Sequence, residues 1–155
     1  MKHRTSLAIA SIINSAFETG LNPAWFEVKS LNKDGFLDAA FTASKLPPPS
    51  GNVAKSDWSF VGRLNGNEEP EDEEADTPFV TVTAKSTVRK LKKYLKKEKS
   101  VYAKTRILKY LFYISILESE CDEKVADEVY SSFDFDGVDD DCFGQIAVGG
   151  DVIYG

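Results

Sequence analysis

Residues 107–117, ILKYLFYISIL, constrain this chain more than any other stretch. They predict the later half of a helix over about Val101–Glu118. At 3.6 residues per turn, Ile107, Leu108, Leu111, Phe112, Ile114, Ile116 and Leu117 put apolar side chains nearly all the way round it. Such a helix has to be covered on several sides. The run is too short for the roughly 20 apolar residues that span a bilayer, and several lysines precede it. The chain must therefore build a core around it. With 155 residues, 42% hydrophobic and 12% aromatic, it has the material for one domain.

Other segments supply the remaining elements. Ile9, Ile12, Ile13, Ala16, Phe17 and Leu21 repeat at i, i+3, i+4, i+7 and predict an amphipathic core helix, capped by Thr5 or Ser6 and ended by Gly20. Met1-Lys2-His3-Arg4 ahead of Leu7–Phe17 also has the outline of a signal peptide, but Ser11, Asn14 and Ser15 interrupt its apolar run. Trp25–Lys29 and Phe36–Ala43 read as strands joined by the turn Asn32-Lys33-Asp34-Gly35. DWSFVGRL alternates Trp58, Phe60, Gly62, Leu64 against Ser59, Val61, Arg63. PFVTVTA alternates in the same way, giving a third and a fourth strand. From Ser86 the pattern turns helical, with Val88, Leu91 and Leu95 on one face, a break at Ser100, the helix 101–118, and a further helix over about Asp122–Ser132. Gln145–Val148 and Val152–Tyr154 read as short strands. The expected fold class is α+β: an N-terminal helix, a four-stranded antiparallel β-meander, then two or three C-terminal helices packed on one sheet face. Residues 1–155 form a single domain, with a mobile acidic loop at 65–77 and an acidic, Gly-rich C-terminal segment at 134–155.

The charges are segregated. Residues 85–109 hold eleven Lys or Arg among 25 positions and one acid, although the chain carries a formal charge of −6. Residues 68–76 hold seven acids and no base, and residues 118–155 hold twelve acids against one base. A mixed surface would be less polarised. Two binding modes follow. A dense acidic surface can complement a basic partner or imitate a phosphate track, as small inhibitors, immunity proteins and anti-defence proteins do. Its residues are Glu68, Glu69, Glu71, Asp72, Glu73, Glu74 and Asp76, with Asp134, Asp136, Asp139, Asp140 and Asp141. Alternatively, the basic helix 86–97 grips DNA or RNA through Arg89, Lys90, Lys92, Lys93, Lys96 and Lys97. Tyr94, Tyr102 and Tyr110 would then stack bases wherever they reach the surface.

Catalytic signatures are sparse. His3 is the one histidine, which disfavours Ser-His-Asp, Cys-His and histidine-ligated metal schemes. The sequence holds neither phosphate-loop nor dinucleotide-binding fingerprint. Segments 30–41 and 132–143 share an S-x-[ND]-x-D-G pattern resembling part of a calcium loop. Ser30 and Ser132 stand where the first acid belongs, and Phe41 and Phe143 replace the closing glutamate. No metal or cofactor is expected. Cys121 and Cys142 form no C-x-x-C pattern and suit a reducing, cytoplasmic setting. The leading expectation is a small, acidic, non-enzymatic binding protein, an inhibitor- or immunity-type regulator with a protein partner. The alternative is a nucleic-acid-binding domain.

Overall fold

The computed structural model describes residues 1–19, 26–31, 58–64 and 78–152. Their order is α1 (His3–Thr19), β1 (Phe26–Leu31), β2 (Ser59–Leu64), β3 (Val80–Thr83), α2 (Ala84–Lys97), α3 (Val101–Glu118), α4 (Glu123–Phe133) and α5 (Gly137–Gly149). The fold is mixed helix and sheet. The three described strands lie antiparallel in the order β1-β2-β3. Phe26 faces Leu64 and Leu31 faces Phe60, with an irregularity between Val28 and Ser30. Ser59 faces Thr83 and Gly62 faces Val80. The alternation in β2 is as the sequence reads: Trp58, Phe60 and Leu64 are buried, while Ser59, Val61 and Arg63 are half-buried.

Two parts of the expected architecture are corrected. The sheet has three strands among the described residues rather than a four-stranded meander, and Phe36–Ala43 lies outside them. Four helices, not two or three, follow β3. The additional one is α5, in the segment read as an acidic, Gly-rich tail with a short strand at Gln145–Val148. Asp136 caps its first turn by accepting from the Asp139 N–H, and Asp139 reciprocates on the Asp136 N–H. That exchange satisfies two backbone donors that a helix start otherwise leaves orphaned. Residues 140–148 are buried on every side, so α5 occupies the middle of the molecule. It packs on α1, α2, β2 and β3. Its last residue, Gly149, leaves no room for a side chain, since a Cβ there would sit 2.5 Å from Leu64 Cδ1. Gly150 then ends the helix in the left-handed region at φ 79°.

The core joins Ile9, Ile13, Trp58, Phe60, Leu91, Ile107, Tyr110, Phe143 and Ile146. Trp58 Nε1 donates to the Ser6 carbonyl at 2.9 Å, pinning β2 to α1. Tyr110 stacks on Phe135 at 3.9 Å between centroids and tilts against Phe143 at 4.8 Å. Thr5 and Ser6 are not caps but buried residues inside α1, which begins at His3. Likewise α2 is capped by Thr83 rather than Ser86. The Thr83 hydroxyl accepts from the Ser86 N–H, and the Ser86 hydroxyl accepts from the Thr83 N–H. Asp134 ends α4 at φ 52°, a conformation Asp tolerates better than most residues. Among the described residues, no helix is long and apolar enough to cross a membrane.

Candidate functional site

Helix α2 sorts its residues by chemistry. Ala84, Ser86, Thr87, Leu91 and Tyr94 are buried, and Val88 and Leu95 pack on the core beside them. Lys85, Arg89, Lys92, Lys93 and Lys96 are exposed on the other side. At 100° per residue these five cations fall within an arc of about 100°, and at 1.5 Å per residue they extend along about 16 Å of helix. Among the described residues no carboxylate lies within ion-pair distance of any of the five. They form a positive ridge held on a rigid, capped element.

Two other basic residues of the segment have separate tasks. Lys90 is half-buried and turns inward, with Nζ donating to the carbonyls of Ala147 at 3.1 Å and Val148 at 3.0 Å. Burial, and Arg89 beside it, lower its pKa from the usual lysine value. Lys97 pairs with Asp151 at 3.2 Å, an exposed contact that contributes little. Glu98 follows the helix and accepts from the N–H groups of Ser100 and Lys99, which hold its carboxyl below the usual value.

Beyond the break, Ser100 caps α3 and exposes Tyr102, 76% accessible. The guanidinium of Arg106 sits 5.1 Å from the Tyr102 ring centroid. Arg106 is itself held, with Nε donating to Asp139 Oδ1 at 2.7 Å and Nη1 to Cys142 Sγ at 3.0 Å. Of the three tyrosines that the sequence offers for stacking, Tyr102 is exposed, whereas Tyr94 and Tyr110 are buried in the core. The sequence reading omitted Lys85 from the ridge. The signal was present: Lys85, Arg89, Lys93 and Lys96 repeat at helical spacing once the cap is moved back to Thr83.

The acidic candidates divide. Glu68, Glu69, Glu71, Asp72, Glu73, Glu74 and Asp76 lie outside the described residues. Asp134 and Asp136 are exposed, and both terminate helices. Asp139 is paired with Arg106. Asp140 is buried, accepting from the Tyr110 hydroxyl at 2.6 Å and the Ser15 hydroxyl at 2.9 Å. Asp141 is 2% exposed. One of its oxygens accepts from Gln145, and Oδ1 has no partner. Burial raises both carboxyls above the usual aspartate value, against the opposing effect of those hydrogen bonds. Asp139 and Asp140 thus tie α5 to α3 and α1, Asp141 bonds within α5, and the three present no common outward face.

The 132–143 segment builds helix ends rather than a cation loop: Asp136 Oδ1 is occupied by the Asp139 N–H and Asp139 Oδ1 by Arg106. Among the described residues no group of three or more His, Cys, Asp or Glu side chains is placed to hold a metal ion. Comparison of the chain with protein families, with characterised proteins and with solved structures finds no match.

Proposed function

We propose that this chain is a non-catalytic binding protein that docks its basic α2 ridge on the sugar–phosphate backbone of a nucleic acid. One observation carries the reading: Lys85, Arg89, Lys92, Lys93 and Lys96 share an exposed face, unpaired among the described residues. A concentrated run of cations at fixed spacing neutralises phosphates and releases their counterions. A ridge about 16 Å long, at 1.5 Å per residue, runs beside roughly five phosphates of one strand at 3.4 Å of axial rise each. Contacts of that type position a protein without reading sequence. Tyr102 adds an exposed aromatic surface three residues past Lys99. The two thiols are unpaired, which suits a reducing, cytoplasmic setting.

The acidic-docking alternative, with its inhibitor-type role, rests on Glu68–Asp76 together with the exposed Asp134 and Asp136. It ranks second because Asp139, Asp140 and Asp141 are committed within the fold.

Fluorescence anisotropy with labelled single- and double-stranded DNA and RNA, at rising salt, tests the proposal. Five phosphate contacts predict a log–log salt slope of about −4.5, so a fourfold rise in salt weakens binding about 500-fold. No binding to any of these ligands at low salt overturns it.

A further inference from the structure

The turn from α2 into α3 is held by its own side chains. Glu98 accepts from the N–H groups of Lys99 and Ser100, and the Ser100 hydroxyl accepts from the Ala103 N–H. The start of α3 is thereby tied to the end of the basic ridge. The second residue of α3 is Tyr102, six positions beyond Lys96, the last ridge cation. The chain allows at most about 22 Å between their Cα atoms.

Tyr102 is exposed, so its ring does not serve the core. It is nevertheless held. The Arg106 guanidinium, one turn on, lies 5.1 Å from the ring centroid, and its Nη2 donates to the Tyr102 hydroxyl at 3.4 Å. Arg106 is itself fixed, because Nε and Nη1 are engaged by Asp139 and Cys142 of α5. A buried helix thus steadies an exposed ring through one of its faces.

The charges available around this ring are of one sign. Lys96 and Lys99 are exposed and Lys104 is half-buried, and among the described residues none of the three has a carboxylate within ion-pair distance. Glu98 and Asp139, which carry the opposite charge here, are already engaged. Asp139 pairs with Arg106, and Glu98 is bonded to the backbone of the turn, with Lys104 acting on it through space. A flat aromatic face among cations fits a planar group joined to a phosphate.

We propose that Tyr102 is a stacking platform for an unpaired base, so that the ligand of the ridge is a single strand, DNA or RNA, rather than a duplex. This rests on the ridge reading and narrows it. Every base has a π-face, so such stacking tolerates any sequence. In a duplex that face is covered by neighbouring base pairs, and Tyr102 has nothing to seat. A ring steadied before binding also loses less freedom when the base arrives.

The test is fluorescence anisotropy of the full chain with three labelled probes: a short single strand of mixed sequence, the same strand annealed to its complement, and a strand of equal length with abasic sites in place of its bases. The base-bearing single strand should bind most tightly. Tyr102→Ala should weaken that binding about fivefold to a hundredfold, with little change on the duplex or the abasic strand. Tyr102→Phe should retain most of the affinity. Neither change alters a charge, so the salt slope on each probe should match the parent's. Should a variant fail to fold, the abasic strand decides the matter on the parent protein alone. Equal binding of the three probes, or a Tyr102→Ala effect that is nil or the same on all three, overturns the platform. It leaves the ridge standing where Arg89→Gln with Lys93→Gln still weakens binding. Absence of binding to all three probes overturns the ridge reading and the platform with it.

Discussion

Lys90 closes the C-terminal end of α5: its ammonium lies 3.0 Å from the Val148 carbonyl and 3.1 Å from that of Ala147. A lysine from the most basic stretch of the chain thus serves the fold, joining α2 to the buried helix, while its neighbours face solvent. The helix end supplies unpaired carbonyls and a partial negative charge, and a cation satisfies both. Lys90→Met keeps the apolar stem and removes the ammonium, and should cost about 1–2 kcal/mol. Lys93→Ala, on the exposed face, should stay within about 0.5 kcal/mol. Urea unfolding of the two variants measures the difference. Equal costs would place Lys90 in solvent.

Asp141 makes stability depend on pH in a definite direction. Its buried carboxyl keeps its proton to higher pH than the same group in the unfolded chain, where it titrates near about 4. Across that window the folded state binds more protons, so this contribution is complete below the unfolded value and is lost as pH rises through the folded one. Asp140 shifts in the same direction. Asp141→Asn removes one of the two penalties, because an amide is less costly to desolvate than a carboxylate. The variant should be more stable than the parent by about 1 kcal/mol near neutral pH, with the gap closing toward pH 4. Unfolding midpoints measured across that range check the sign.

The two cysteines should differ in reactivity. Cys142 is buried, and burial raises its pKa, against the opposing effect of Arg106. The thiolate is the reactive species, so alkylation of Cys142 requires opening of the fold. Cys121 is partly accessible beside the end of α3. Iodoacetamide followed by peptide mass spectrometry should label Cys121 at least about tenfold faster in the native protein, and both equally in denaturant.

Gly149 and Leu64 are matched in size. A methyl group at 149 would press on Leu64 in a packed core, so Gly149→Ala should cost about 1–3 kcal/mol. The cost should shrink in a Leu64→Ala background, where the opposing atoms are gone. A double-mutant cycle in urea measures the coupling, and additive costs would contradict the contact.

How far the sequence discloses this molecule depends on which residues carry the signal. Trp58, Phe60 and Leu64 announce β2 because alternation maps directly onto a half-buried strand. The faces of α2 follow from Val88, Leu91 and Leu95 against Lys92 and Lys93 in the same way. Helix α5 was obscured because Asp139, Asp140 and Asp141 resemble a solvated acidic run. Their roles as helix-cap partner, tyrosine partner and buried acceptor are tertiary facts. The Asp136–Asp139 spacing, a reciprocal cap ahead of the apolar run Cys142–Val148, was the one local clue. For the site, helical period separates Lys85, Arg89, Lys92, Lys93 and Lys96 from the core. The inward turn of Lys90 depends on where α5 ends, which no local pattern encodes.

The salt dependence of nucleic-acid binding in the double variant Arg89→Gln, Lys93→Gln tests the central claim most directly. Removing two of five ridge cations should reduce the log–log slope by about 1.8, from about −4.5 to about −2.7. Lys90→Met should leave the slope unchanged, because that ammonium faces α5. A slope unaltered by the double variant, or one altered as much by Lys90→Met, would contradict the assignment of the ridge.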